Sequence, residues 1–263
     1  MKFRYILENN TTDLQYLKKH SDDDARKLYD KLIDMLLTKN YEDSVEFIDD
    51  LVKDPKLQFI LSLGFGGKFS DFKLRLTKKN IEAYKLIPTQ NEIGFDETLK
   101  FLCTGKNIDK CFKTPAVIKK PIVTFNGSFI IDGHHRWSEI YVANPDAKME
   151  CIDIDGNLSP IQMLKAVQAT IGSNLGSLMS KDVQGKNLLK ASESEIKNYL
   201  KSNLDYDKFT DYYTDPVKEI TRNCLKMQGN NYPILGAPKR GDMPQTSKDP
   251  DLFDDLKRGI TKI

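Results

Sequence analysis

The residues best equipped for chemistry sit together in Asp132-Gly133-His134-His135-Arg136. The chain holds three histidines, and two of them are adjacent in this run. They come after the strand-like SFIID and precede HRWSEIYVAN, whose Trp137, Ile140 and Tyr141 fall on one helical face. The corner between them is thus a strand-to-helix turn. The first turn of a helix leaves backbone N–H groups without intrahelical partners, and its aligned peptide dipoles make that end partly positive. Gly133 admits another group close to the backbone. Arg136 adds a permanently charged fork suited to phosphate or carboxylate. These parts make an anion site, with phosphate as the expected anion. One imidazole can donate to a phosphate oxygen while the other faces a reacting group. Asp132 can orient an imidazole, hold a magnesium ion or cap the helix.

The elements that must position this corner have mixed α/β texture. IEAYKLI reads as a short strand ended by Pro88, and Asp96 can cap a helix through ETLKFLC. PIVTF and SFIID are two apolar segments separated by Asn126-Gly127, the dipeptide of a type I′ hairpin turn. KMECIDID alternates and reads as a further strand.

The flanks are helical. Ser21 with Asp24 forms a capping box before DDARKLYDKLIDMLL, YEDSVEFIDDLV comes next, and Asp54-Pro55 restarts the chain into LQFILSLGF. Residues 64–80, including GFGGK, fit neither a Walker loop nor a dinucleotide fingerprint and read as a flexible connector. Beyond residue 157, Ser159-Pro160-Ile161-Gln162 opens a helix through MLKAVQATI. Ser192 with Glu195 opens SEIKNYLKSNL, and Asp215-Pro216 starts VKEITRNCLKM, which Gly229 can stop. Asp249-Pro250 starts a short LFDDLKRGI helix. Between the last two lies QGNNYPILGAPKRGDMPQTSKD, aperiodic and rich in Pro, Gly and Asn, which reads as extended or as lying along a partner.

Composition narrows the classes. A net charge of +2 gives no global field toward nucleic acid or an anionic membrane. Cys103, Cys111, Cys151 and Cys224 form no CxxC pair and lie near no histidine, so they read as reduced, packed thiols rather than zinc ligands or disulfides. The N-terminus has no signal-like apolar region and no apolar run reaches membrane-spanning length, so the expectation is a cytoplasmic protein without a membrane partner.

The order strand, IPTQNE, helix, PIVTF-NG-SFIIDGHHRW, helix, KMECIDID resembles the ParB/sulfiredoxin-like family over residues 81–157. Members place a Gly-x-x-Arg corner after a hairpin and bind nucleotide phosphates there. ParB partition proteins carry GERR, sulfiredoxins GCHR, and the free serine kinase-like members a GHxR form. Gly133-His134-His135-Arg136 is most similar to the last. The resemblance implies an α+β fold: a small mixed-sheet domain (81–157) between helical segments 1–80 and 158–228, with an extended tail and terminal helix over 229–263. It implies phosphate contacts from Gly133, His134, His135 and Arg136, with Thr89 and Gln90 near the same pocket. Glu92 stands about where kinase-like members keep a catalytic carboxylate, and His134 or His135 would supply the polar or proton-transfer group. The implied ligands are ATP or another nucleotide, with Mg2+, and Asp132 as a metal-ligand candidate. His134 occupies sulfiredoxin's cysteine position, the ParB arginine pair is absent, and no helix-turn-helix comes after residue 157. Neither sulfiredoxin chemistry nor chromosome partitioning is therefore expected.

Three functions are expected. The first is an enzyme that hydrolyses a nucleotide or transfers a phosphoryl group at the DGHHR corner. The second is a ParB-like DNA-binding protein or nuclease, in which Lys119, Lys120, Lys239 and Arg240 extend the grip on DNA. DGHHR-type relatives are common in bacteriophage genomes, often labelled ParB-like nuclease, and KRGDMPQTSK resembles the endings of such proteins. The third is accordingly a virion-associated protein, with the segment Tyr232 to Pro244 ordered only on other virion proteins. Its compartment would be the host cytoplasm or the virion.

Overall fold

The computed structural model of the chain describes residues 27–28, 30–63, 74–178, 180 and 185–253. Two compact units emerge: residues 1–72, 165–178 and 249–263 in one, and residues 73–164 and 179–248 in the other. These boundaries cut across the four consecutive segments expected from sequence, because residues distant in the chain pack together in both units.

The first unit is helical. Helix α1 (30–38) leads to α2 (Tyr41–Lys53), and α3 (Pro55–Leu63) comes next. Asn40 caps α2 by accepting from the Asp43 amide at 2.8 Å, and α2 buries Tyr41, Ile48, Leu51 and Val52. Asp54 caps α3 through the Lys56 amide, as Asp54-Pro55 leads one to expect. At the end of α1, the buried Lys165 ammonium donates to the carbonyls of Met35, Leu36 and Lys39 at 3.3, 3.1 and 2.5 Å. A cation at a helix C-terminus satisfies carbonyls that the helix itself cannot. The Ser21–Asp24 box and the GFGGK run lie outside the described residues, as does most of the LFDDLKRGI segment.

The second unit is mixed α/β. Its sheet is built from β1 (Arg75–Glu82), β2 (Ile87–Pro88), β3 (Ile122–Phe125), β4 (Phe129–Asp132) and β5 (Lys148–Asp155), in the order β1-β5-β3-β4-β2. The β1–β5 and β3–β4 pairs are antiparallel; β3–β5 and β2–β4 are parallel. Helices α4 (Phe95–Cys103), α5 (Ile108–Phe112) and α6 (His134–Ala143) belong to this unit. Helix α7 (Pro160–Leu175) starts in it, and α8 (Glu193–Asn203) and α9 (Pro216–Asn230) complete it. One buried core joins the sheet to α4, α5, α6, α8 and α9, and includes Leu86, Leu99, Ile130, Trp137, Tyr141 and Ile220. The coarse expectation of an α+β chain with a mixed sheet holds. Among the described residues no helix is long and apolar enough to cross a membrane.

The strand assignments need two corrections. Residues 75–80 are not a connector but most of β1, paired with β5 over eight residues. Their signal is cross-strand charge: Lys79 bonds Asp153 at 2.6 Å and Asp155 at 3.1 Å, and Arg75 bonds Asp155 at 3.4 Å. IEAYKLI is not one strand. It breaks at a 3-10 turn over Ala83–Lys85, where Ala83 and Tyr84 donate to the carbonyls of Ala147 and Pro145 and the Trp137 indole donates to the Ala83 carbonyl.

Helix starts agree more closely with the sequence. Ser159 with Gln162, and Ser192 with Glu195, form reciprocal capping boxes, and Asp215 caps α9 through the Lys218 amide. The N-cap of α4 is Gly94 rather than Asp96. Helix α9 runs through Gly229 to Asn230. The segment after it does not extend away. Asn231 donates to the carbonyls of Tyr84 and Leu86 at 2.8 and 2.7 Å and accepts from the buried Tyr141 hydroxyl at 2.8 Å. Asn91 then donates to the carbonyls of Pro238 and Ala237. A stretch without periodicity is thus held by side-chain-to-backbone bonds against its own unit.

Candidate functional site: an anion pocket at the start of helix α6

The β3–β4 hairpin aims the chain into the pocket. Asn126 and Gly127 both have positive φ, 49° and 67°, as a type I′ turn requires. Buried Asp153 locks the turn: its Oδ1 accepts from Thr124 Oγ1 at 2.6 Å and from the Gly127 amide at 2.8 Å. The register shifts between Val123 and Thr124, which oppose Asp132 and Ile130. Ile131 is therefore the extra residue of a bulge, a device that re-aims the chain beyond it.

The next residue after β4 is Gly133 at φ 98°, the N-cap of α6, with no side chain capping the helix. A Cβ here would lie 2.6 Å from Arg136 Nη2 and 2.6 Å from Ile122 Cγ2, so any other residue would be strained and would have to displace one of them. The open helix end faces a cavity of about 400 Å³, whose lining includes Asp132, Gly133, His134, His135 and Arg136. Gln90, Glu97, Lys120, Arg240 and residues of the 243–247 stretch complete its wall.

The two histidines differ. His134 is buried, and its Nε2 accepts from the Thr89 amide at 3.1 Å. Burial, helped by the charges of His135 and Arg136, pushes its pKa down to about 3. The ring is therefore neutral at ordinary pH, with its proton on Nδ1. With Nε2 committed to Thr89, His134 has no lone pair to serve as a base; it is a donor of one N–H. His135 lines the same cavity.

Arg136 Nη2 donates to Asp132 Oδ2 at 3.0 Å and to the Pro121 carbonyl at 3.4 Å. Its Nε is buried and has no hydrogen-bond partner among the described residues. A buried donor left in that state calls for an explanation, and an acceptor brought by a ligand is one. Buried Arg240, also in the lining, donates from Nη1 to Glu97 Oε2 at 3.0 Å.

The sequence-derived candidates divide accordingly. Gln90, Asp132, Gly133, His134, His135 and Arg136 all line the cavity. Thr89 does not. It lies behind the cavity, holding His134 and donating from Oγ1 to the Ile130 carbonyl. Gln90 Nε2 donates to the Glu92 carbonyl at 2.6 Å, yet Glu92 is not among the lining residues. A second carboxylate in the lining is Glu97, which no motif in the sequence singles out; the sequence leads one to expect Lys120 and Arg240 only on a nucleic-acid surface. Asp132 does not cap α6, and among the described residues no group of three His, Cys, Asp or Glu side chains could hold a metal ion. The carboxylates lining the cavity are Asp132 and Glu97, so a magnesium ion there would take most of its ligands from phosphate and water. Asp132 offers one carboxylate, already bonded to Arg136.

No protein-family model, curated protein or solved structure matches the chain. The site is therefore read from its own geometry. The four cysteines are buried and unbridged, and burial raises each thiol pKa, which removes them as nucleophiles.

Proposed function

We propose that the second unit binds the phosphate groups of a nucleotide at the start of α6, in the manner of ParB/sulfiredoxin-like proteins, and that it hydrolyses the nucleotide or transfers its terminal phosphoryl group. One observation carries this reading. An uncapped helix N-terminus, opened by a glycine at positive φ where a side chain would be strained and crowded, shares a cavity with Arg136, whose buried Nε lacks a partner among the described residues. Backbone N–H groups and guanidinium donors held in advance suit the charge of a phosphoryl group without reorganisation.

The geometry supports a role for each group. The first amides of α6 and the Nδ1–H of His134 donate to phosphate oxygens. Arg136 and Arg240, both in the lining, supply charge, each released from its carboxylate as phosphate enters. Thr89 is a positioning residue, fixing the His134 tautomer. A magnesium ion would arrive with the phosphates, and no step is assigned to it. Calorimetric titration with ATP, CTP and ADP tests the reading. Saturable binding that Arg136→Ala removes supports it, and absence of binding by all three overturns it.

A second reading has its own support. Lys106, Lys110, Lys119 and Lys120 are exposed or half-buried and line this cavity or the one beside it. In that case the anion is a nucleic-acid phosphate, and affinity must fall steeply with salt. Salt-insensitive or undetectable DNA binding removes it.

A further inference from the structure

A second cavity, of about 270 Å³, adjoins the first. The two share Glu97, His135 and Arg136 as lining residues, so whatever fills the second stands beside the phosphate site. Its distinguishing group is Glu139, a carboxyl only 6% exposed that nonetheless lines the cavity. On α6 it lies three residues after Arg136 and four after His135, which places all three on one face. Asn107 Nδ2 donates to Glu139 Oε1 at 3.1 Å and fixes the carboxyl plane. The phosphate site makes no use of Glu139.

We propose that this second cavity is the acceptor subsite of the phosphoryl transfer, that it takes water or a small hydroxyl-bearing compound, and that Glu139 receives the acceptor's proton. The inference rests on the nucleotide reading above. In the step, the acceptor oxygen forms a bond to the terminal phosphorus. The bond from that phosphorus to its bridging oxygen breaks, and the bridging oxygen leaves on the nucleoside diphosphate with the electron pair. The hydroxyl proton passes to the Glu139 carboxylate.

The surroundings suit that task. Burial raises the Glu139 pKa, while Asn107, Lys119 and Lys110 pull it down. The charged and titratable groups lining the cavity with it are His135 and Arg136 on its own helix, Glu97 on α4, Lys110 on α5, and Lys106 and Lys119 on the adjoining loops. A carboxylate made more basic by burial and lining the cavity itself is suited to take a proton from a hydroxyl held there. A purely structural Glu139 would only need to hold Asn107, and a glutamine would hold it equally well.

The full chain is assayed with ATP as probe, measuring affinity by calorimetry and phosphate release across a pH range of about 5–9. Glu139→Gln keeps size and the Asn107 bond but cannot take the proton. Its ATP affinity is expected to stay within about 2-fold, while phosphate release falls by roughly 100-fold and its acidic limb disappears. Glu139→Asp restores part of the rate. Phosphate release by Glu139→Gln at the wild-type rate overturns the acceptor subsite and leaves nucleotide binding standing. ATP binding by the wild type with no ADP formed at any pH, in buffer alone or with small alcohols added as acceptors, does the same. No ATP binding by the wild type overturns both readings together.

Discussion

Arg136 reaches back one helical turn, over Gly133, to bond Asp132 at 3.0 Å. The pair is partly buried, with side chains 18% and 24% exposed. Asp132 thus holds the guanidinium at the helix mouth and also competes with any anion that would use it. Asp132→Asn is expected to tighten ATP binding several-fold by releasing that competition. Arg136→Ala removes a charged donor and is expected to weaken binding by ~10–100-fold, the equivalent of about 1.5–3 kcal/mol. Calorimetric titration of the two variants gives both values. Equal affinity in wild type and Arg136→Ala would remove Arg136 from the site.

Gly133 is expected to tolerate no side chain. In Gly133→Ala the new methyl meets Arg136 Nη2 and Ile122 Cγ2 at 2.6 Å, on a backbone at φ 98°. Left-handed strain plus the clash is expected to cost about 1–3 kcal/mol of stability. Because relief would push Arg136 aside, ATP affinity should fall with it. Chemical denaturation checks the first effect and titration the second.

The buried His134 makes stability depend on pH in a definite direction. Its pKa drops from 6.5 unfolded to about 3 folded, chiefly through burial. Between those values the unfolded chain takes up a proton that the folded chain refuses, so stability falls as pH drops from about 6.5 toward 3. The loss from this group is at most about 5 kcal/mol. His134→Gln keeps an acceptor for the Thr89 amide but does not titrate. Its stability, measured by urea unfolding at pH values of about 7, 5.5 and 4.5, should decline less steeply than that of the wild type. Parallel declines would mean that His134 is protonated in the fold.

Much of this site was legible because its signals are local. Asn126-Gly127 dictates the hairpin turn, and Asp132 to Arg136 lie within one helical turn of each other, so neighbours in sequence are neighbours in space. The capping boxes at Ser159 and Ser192 are local in the same sense. The illegible parts depend on distant pairing. Strand β1 carries few apolar residues, and its partners Asp153 and Asp155 lie more than seventy positions further on. Arg240 meets Glu97 across 143 residues. No spacing rule links them. The His134 role also escaped, since its tautomer depends on the Thr89 amide 45 residues away.

The segment after α9 supplies a wall of the pocket and can be separated from the rest by two substitutions. Asn231 anchors it: one side chain satisfies the Tyr84 and Leu86 carbonyls and the Tyr141 hydroxyl, all at 2.7–2.8 Å. Asn231→Ala strands these buried groups and is expected to destabilise the protein by roughly 2–4 kcal/mol. Arg240 contributes contact rather than anchorage. Arg240→Met keeps much of its packing but removes its charge, so ATP affinity is expected to fall about 10-fold, close to what a single charged hydrogen bond is worth. Arg240→Lys should recover part of that. If the segment only covers the pocket, Asn231→Ala weakens binding in proportion to lost stability and Arg240→Met leaves it unchanged. If Arg240 grips the anion, Arg240→Met weakens binding in a protein that melts near the wild-type temperature. Melting and titration of both variants separate the two outcomes.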